Sequence, residues 1–435
     1  MHINLSMYLH SSREVDVFSL NYMKLVRVLL KTVGAWPEDI MVGRPHRIQI
    51  YTVYLIFETS ILIVGEFFFI LNKFSQVSFF ILGDVYIAMT LSFVTVYRAI
   101  LPTLKRYGLI FKEFTDNVHL IHYKHKNEYS EALAKKIDKL SYYFSLFILG
   151  QMVSGVVSFN IPPSYNNYRK GAFRKVRPEN ITLQFSVHYM FPGFEQENNV
   201  IISTLINIFL SYICAFLICT LDLFLCLMVF QIIGHIKILE HSLKNFPTPQ
   251  GKAERIGLRR ESRLGTQTFI EVENAFNDDE NETIRERIKA CVQHHLFIVN
   301  FAENMSHFFG PLLVFNYMYH LISLSLLLME CLQGEPGAYT RYGPLTLMTL
   351  TQLMQLSVTF EIVGSESEKL KDEVYYVPWE YMSMSNQKSV GILLQRVQTP
   401  IHVTAMGVTD VGVQTMGRIL KTTFSYFTLL QSLNV

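Results

Sequence analysis

Residues Val200 to Gly234 read VIISTLINIFLSYICAFLICTLDLFLCLMVFQIIG, 35 positions with one charged residue, Asp222. A helix needs about 20 apolar residues to cross the hydrocarbon core of a bilayer. Here no polar face alternates with the apolar one, so lipid is part of the solvent for this segment. Continued as helix to Asn245, it reaches about 70 Å at about 1.5 Å per residue, against a hydrocarbon thickness of about 30 Å. Its far end must leave the membrane and pack on protein. The partners expected are the extended fifth helix and the segment from Trp379 to Arg396.

Working outward, the same logic finds six more spans. The first runs from Ile50 to Leu71, the second from Ser78 to Tyr97, and the third from Leu140 to Ile161. The fifth runs from Phe309 to Leu332 and the sixth from Pro344 to Gly364. The seventh, from Val411 to Leu433, is the most polar because it holds Arg418 and Lys421. Half of the 435 residues are hydrophobic and 17% are charged, where soluble domains carry about a quarter charged residues. The expected fold class is an all-α membrane protein with seven transmembrane helices. The first 30 residues hold Arg13, Glu14, Asp16, Lys24 and Arg27 and lack an apolar core like that of a cleaved signal.

Lys and Arg in the loops set orientation, because cytosolic loops carry the excess. One face of the membrane holds 29 of them and the other 7, and without the long loop between spans four and five the counts are 19 and 7. The amino terminus is therefore expected in the cytosol and the carboxyl terminus outside, the reverse of a G-protein-coupled receptor. Sequons stand at Asn4, Asn180, Asn281 and Asn304, and this topology puts only Asn180 outside, as the one glycosylation site.

The expected organisation follows. Residues 1–49 are a cytosolic amino-terminal segment. Residues 50–234 hold spans one to four with an outer loop at 162–199. Residues 235–300 are cytosolic helix extensions around a flexible loop at 247–279. Residues 301–364 hold spans five and six, 365–410 a cytosolic anchor helix, and 411–435 span seven. The outer loop is rich in aromatics (Tyr165, Tyr168, Tyr189, Phe191, Phe194). It reads either as a lid over the helix ends or as an irregular solvated loop. The stretch from Pro247 to Asp279 is polar and mixed in charge, a composition that favours disorder.

Catalytic motifs are missing from the sequence, so no enzyme and no cofactor is expected. There is no phosphate-binding glycine loop, no His-Glu-x-x-His and no Gly-x-Ser-x-Gly. A net charge of +2 gives no pull on nucleic acid. Five Cys match no zinc spacing, and Cys214, Cys219 and Cys226 read as small buried hydrophobes. His294 and His295 are neighbours that diverge by about 100° on a helix, which favours a packing role over a metal site. Glu58, Glu66, Asp222 and Glu361 fall inside spans, where ionisable groups usually mark function. They form no chain of proton carriers, and no internal repeat supports a transporter.

The last span interleaves Gln414, Thr415, Arg418, Thr422 and Ser425 with apolar residues. Ser425, Leu429 and Leu433 are four apart and share a face. Such a helix is either a core helix of one bundle or one of several copies lining a water path. In the second case Leu429 and Leu433 would close the path by dewetting.

Several segments resemble signatures of the insect odorant receptor family. They are Gly34-Ala35-Trp36-Pro37, Cys291-Val292-Gln293-His294-His295 leading to Pro311, Trp379 with the run from Gln398-Thr399-Pro400 to Thr404-Ala405, and the ending Lys421 to Leu430. The resemblance covers essentially the whole chain, in a style similar to moth or butterfly receptors. It implies a ligand-gated cation channel subunit in the plasma membrane of olfactory sensory neurons. Such subunits assemble as hetero-tetramers with a shared co-receptor, through the cytosolic ends of helices four to seven, and take a small hydrophobic volatile. The ending differs from that of the co-receptor, so this chain resembles an odour-tuning subunit, although its insertion at 251–268 is long for one.

Carried over by position, Leu429 resembles the hydrophobic gate residue, with Ser425 and Leu433 on its face. The implied odorant pocket lies in the outer half of helices two to six. There the chain offers Leu82, Val85 and Tyr86, then Met152, Gly155 and Phe159, then Phe209, Tyr212 and Ile213, and last Tyr319 and Ile322. Burial would hold a volatile there, at about 25 cal/mol per Å² of apolar surface. A gustatory receptor channel is the nearest alternative, and Ser425-Tyr426-Phe427 argues against it. A G-protein-coupled receptor and a secondary transporter stand further off.

Overall fold

The computed structural model describes residues 16–174, 178, 181–249, 252–260, 266–331 and 338–433, apart from the side chains of 79–80, 252–260, 266–274, 338, 430 and 433. Its twelve described α-helices are α1 Asn21–Thr32, α2 Glu38–Met41, α3 Ile50–Lys73, α4 Phe79–Ile100, α5 Lys105–Glu113, α6 Glu128–Arg169, α7 Val200–Lys244, α8 Asp278–Cys331, α9 Ala338–Glu368, α10 Leu370–Tyr375, α11 Met384–Val397 and α12 Val413–Leu433. Seven of them, α3, α4, α6, α7, α8, α9 and α12, cover the seven expected spans. By length and composition α3, α4, α6, α7 and α8 are able to cross a membrane. α9 and α12 are more polar, α9 through Thr346, Thr349, Thr351, Gln352 and Gln355, and α12 through Arg418 and Lys421.

The chain divides into two compact units, one of residues 1–228, 315–352 and 419–435, the other of 229–314 and 353–418. In the first unit, α1 places Tyr22, Met23, Val26, Leu29 and Leu30 on one buried face, the spacing of an amphipathic helix. It ends in a Schellman cap. Gly34 sits at φ +68°, its N–H donates to the Lys31 carbonyl at 3.2 Å, and the Ala35 N–H donates to the Leu30 carbonyl at 2.7 Å. Only glycine takes this conformation without strain. The turn sets Trp36 against Phe18 and Phe111, edge to face at 5.4 and 5.2 Å. The Gly-Ala-Trp-Pro run is therefore a packed corner. Behind it Tyr107, Phe111, Phe114 and Phe224 form a buried aromatic group.

α3 exposes Val53, Phe57, Ile61, Val64, Phe67, Phe68 and Leu71, a continuous apolar surface that suits lipid. α6 continues through Pro162 and Pro163 to Arg169. The outer loop thus begins at Lys170 rather than Pro162. Proline is tolerated inside spanning helices where neighbouring groups satisfy the freed carbonyls.

In the second unit the lower part of α7 packs with the first half of α8, with the lower end of α9 and with α10, where Lys244 pairs with Glu373 at 3.4 Å. α11 is tied to α8 by the Asn386 amide, which donates to the Asn281 carbonyl at 2.8 Å. Lys237 pairs with Glu366 at 3.2 Å, and the Arg287 guanidinium donates to the Asn245 carbonyl at 2.9 Å. The Phe276 N–H donates to the Tyr381 carbonyl at 3.0 Å. The segment around Trp379 thus packs where expected, but 365–410 is two helices and a hairpin rather than one anchor helix. The hairpin, β3 Thr404–Ala405 with β4 Thr409–Asp410, lies against Gly310 of α8. A Cβ there would fall 2.9 Å from the Met406 nitrogen. The polar stretch expected to be disordered has a regular backbone where described. β1 Lys252–Arg260 pairs antiparallel with β2 Thr266–Asn274, in a register that sets Arg255 opposite Glu271 and Ile256 opposite Ile270.

Candidate functional site

The first unit encloses a cavity of about 160 Å³, similar to the cavities of about 150 Å³ that take up a benzene ring. Six helices and one loop residue line it. α3 contributes Thr59, Leu62 and Glu66, and α4 contributes Asp84, Ala88, Leu91 and Thr95. These spacings of three and four follow one helix face. α6 adds Gly155, Val156 and Phe159; α7 adds Leu210, Ile213, Cys214 and Ile218; α8 adds Tyr319 and Leu327; and α9 adds Met348, Thr349 and Gln352. Gly155 makes room on α6, where a Cβ would stand 3.0 Å from the Met348 sulfur.

Val187 lines the cavity from the loop between α6 and α7. Leu62, Ala88, Val187 and Tyr189 form one buried cluster, with Phe159, Phe191 and Phe194 packed on it. The loop backbone is tied down. The Met190 N–H donates to the Gly65 carbonyl at 3.0 Å, and Gln196 Nε2 and Asn207 Nδ2 both donate to the Val187 carbonyl, at 3.0 and 3.2 Å. Gly65 permits this approach, since a Cβ there would lie 2.5 Å from the Phe191 ring. The lid reading therefore describes this loop, and the solvated reading does not. His188 sits between Phe69 and Phe185, at 5.4 and 6.0 Å. Desolvation, and the Arg341 charge after it, pull its pKa down to about 4.

Polar groups stand at defined points on the wall. Asp84 Oδ2 accepts from Arg341 at 2.8 Å and from the Tyr342 hydroxyl at 3.1 Å. Arg341 also donates to the Phe185 carbonyl of the lid at 3.4 Å. Glu66 is fully buried. Its Oε1 accepts from Ser92 at 3.4 Å, while its Oε2 has no hydrogen-bond partner among the described residues. Asp222 does not line the cavity; it pairs with Arg98.

A model of the seven-transmembrane odorant receptor family matches residues 78–424, well over half of the chain. This chain belongs to that family. Curated relatives agree. Odorant receptor 13a of Drosophila melanogaster is 26% identical over 34% of this chain and 38% of its own length. Odorant receptor 42a of the same fly is 24% identical over 40% of this chain and 41% of its own. Odorant receptor Or2 of Anopheles gambiae is 19% identical over 34% and 40%. The chain thus spans about two fifths of the length of the curated relatives it matches. Among solved structures it is similar to the insect olfactory receptor OR5 from Machilis hrabei in complex with eugenol. The TM-score is 0.72 at 12% identity, over 96% of this chain and 100% of that one. A second structure of the same receptor gives a TM-score of 0.71 at 12% identity, over 94% and 97%.

As a member of the odorant receptor family the chain has the seven-helix, multi-pass membrane fold. Of the residues singled out from sequence for the odorant pocket, Gly155, Phe159, Ile213 and Tyr319 meet at the cavity. Leu82, Val85 and Met152 are buried away from its lining, and Tyr86 is half-buried. Tyr212 packs on Phe216 at 4.4 Å. Phe209 and Ile322 are 45% and 37% exposed. Helical spacing groups residues onto a face, but on a helix that is apolar all round it does not say which face turns inward.

The polar lining (Glu66, Asp84, Ser92, Thr95, Thr349, Gln352) was the readable signal, because these residues recur on the inner faces of otherwise apolar helices. Glu58 and Glu66 stood out in the sequence as intramembrane charges; both line the cavity. His294 shares a hydrogen bond with His235 at 3.0 Å, and no metal-binding cluster occurs among the described residues. On α12, Ser425 and Leu429 are exposed on the single chain, Leu429 at 54%. Leu433 closes the helix with its side chain outside the described part, and Asn180 lies outside the described residues altogether.

Proposed function

We propose that this chain is an odour-tuning subunit of a ligand-gated cation channel, working with a co-receptor in a hetero-tetramer in the plasma membrane of olfactory sensory neurons. The lidded apolar cavity carries this reading. It is the right size for a small hydrophobic volatile, and family membership supplies the receptor role. A volatile opens the channel only by binding the open arrangement better than the closed one. The amino terminus is cytosolic, the loop ending at Asn199 is outside, and the helix extensions around α10 and α11 join neighbouring subunits. Copies of α12 surround the pore, and the exposure of Leu429 on the single chain suits a gate completed by other subunits.

The test is co-expression with the co-receptor, a volatile panel and recorded current. Gly155→Leu fills the cavity and is expected to raise the half-maximal concentration of active volatiles by about tenfold or more, at normal surface level. Unchanged potency in that variant rejects the cavity as the odorant site, and current-free uptake of a substrate rejects the channel in favour of a transporter.

A further inference from the structure

Three residues lining the cavity, Glu58, Glu66 and Asp84, are carboxylic acids, and none of the lining residues is Lys, Arg or His. Asp84 has its answer inside the protein, in Arg341 and Tyr342. Glu66 does not. It is fully buried, it receives only the Ser92 hydroxyl at 3.4 Å, and its second oxygen has no partner among the described residues. Glu58 lies two turns earlier on the same helix and is half-buried. Glu58 Oε2 also lacks a partner among the described residues, but of the two Glu66 is the one buried completely in the wall. Buried polar groups are nearly always hydrogen-bonded, so the missing partner of Glu66 is expected to arrive with the ligand.

We propose that the ligand is a volatile amine, an aliphatic or aromatic body with one basic nitrogen, and that Glu66 binds this nitrogen; the proposal rests on the cavity being the odorant site. A buried carboxylate without a counter-ion is costly, so the exchange starts from the neutral acid. An amine entering as the free base takes the acid's proton: the O–H bond of Glu66 breaks, an N–H bond forms, and an ammonium–carboxylate pair results with no other reactant. The ammonium then donates to Oε2, the oxygen that lacks a partner. Charge-assisted hydrogen bonds of this kind are about twice as strong as neutral ones. An alcohol makes only the neutral bond, an ester or ketone only accepts, and a carboxylic acid brings a second acid to an acidic wall. Leu62, Ala88 and Phe159 hold the apolar body by burial.

The experiment uses the full chain with the co-receptor at neutral pH and three probes of similar length: heptylamine, heptan-1-ol and methyl hexanoate. Heptylamine is expected to be the most potent. Glu66→Gln is expected to raise its half-maximal concentration by about tenfold or more and move the other two by less than about threefold. Glu66→Asp, which keeps the carboxyl, retains the amine preference. Surface labelling checks that each variant reaches the membrane. If Glu66→Gln does not, the ranking on the unaltered chain together with Glu66→Asp decides. The proposal is overturned if heptylamine is no more potent than heptan-1-ol, or if Glu66→Gln shifts all three probes equally or none. In those cases a potency shift in Gly155→Leu still upholds the cavity, whereas no shift there removes the cavity reading as well.

Discussion

The Arg98 guanidinium of α4 lies 2.6 Å from the Asp222 carboxylate of α7, with the arginine side chain wholly buried and the aspartate 9% exposed. Asn316 of α8 accepts from the same nitrogen at 3.3 Å. Asp222 is the single charge in the stretch of sequence that declares the membrane fold. It sits there because its partner sits opposite. Its role is to hold three helices in register, distinct from the ligand-facing role of Glu66.

Removing one member of a buried ion pair strands the other and costs about 3–5 kcal/mol, whereas replacing both with apolar residues is often neutral. Asp222→Ala and Arg98→Ala are therefore each expected to lower the detergent-solubilised melting temperature and the surface level sharply. The double variant Arg98→Met with Asp222→Leu is expected to recover most of both. Equal losses in all three would show that the two residues act independently.

His188 supplies a pH dependence. Its pKa falls from 6.5 unfolded to about 4 in the docked lid. Between those values the unfolded loop takes up a proton that the docked loop does not, so stability rises with pH across this window. Docking is fully stable above about pH 6.5 and weakens as the pH falls towards 4. Hydrogen exchange at 181–199 is expected to speed up over that range, and His188→Asn is expected to flatten the profile. An equal acceleration in the variant would assign the effect to another group.

At the gate, Leu429→Ala trims an apolar side chain that is exposed on the isolated chain. Co-expressed with the co-receptor, it is expected to give a standing leak or altered ion selectivity, because the wider and less apolar ring that results no longer dewets the path. Gating and permeation identical to those of the parent receptor would remove α12 from the pore.

Glycosylation reports topology. The Asn281 amide already donates to the Phe276 and Asn277 carbonyls at 2.8 and 3.0 Å, and its Oδ1 accepts from the Ser383 N–H at 2.8 Å. A glycan there would break this knot between α8 and α11. Glycosidase is expected to shift the parent band and leave Asn180→Gln unshifted. A shift that disappears only in Asn281→Gln would invert the orientation.

Much of the second unit was half legible. A helix too long for the bilayer announced that α7 and α8 continue beyond it, and Trp379 onward was a reasonable partner. The division of 365–410 into α10, α11 and a hairpin was not readable, since short amphipathic pieces and two-residue strands leave little periodic signal. The strand pair at 252–274 was hidden for a related reason. Its polar composition resembles disorder, and its pairing lies in register rather than in hydrophobicity.

Sequence by itself determined that lipid is the solvent, that seven helices cross it and where each begins to be apolar, because hydrophobic length is a property of the chain alone. It also supplied the family resemblance, through the Gly34 corner and the ending around Ser425 and Leu429. Only the tertiary structure decided which faces turn inward. It set Gly155, Phe159, Ile213 and Tyr319 at the cavity and left Phe209 and Ile322 exposed. It gave Asp222 to Arg98 and left Oε2 of Glu66 without a partner among the described residues. The physical reason is that an apolar helix looks the same from every side to lipid, so its inner face is chosen by the neighbours it packs against and by where the few polar groups find, or fail to find, their partners.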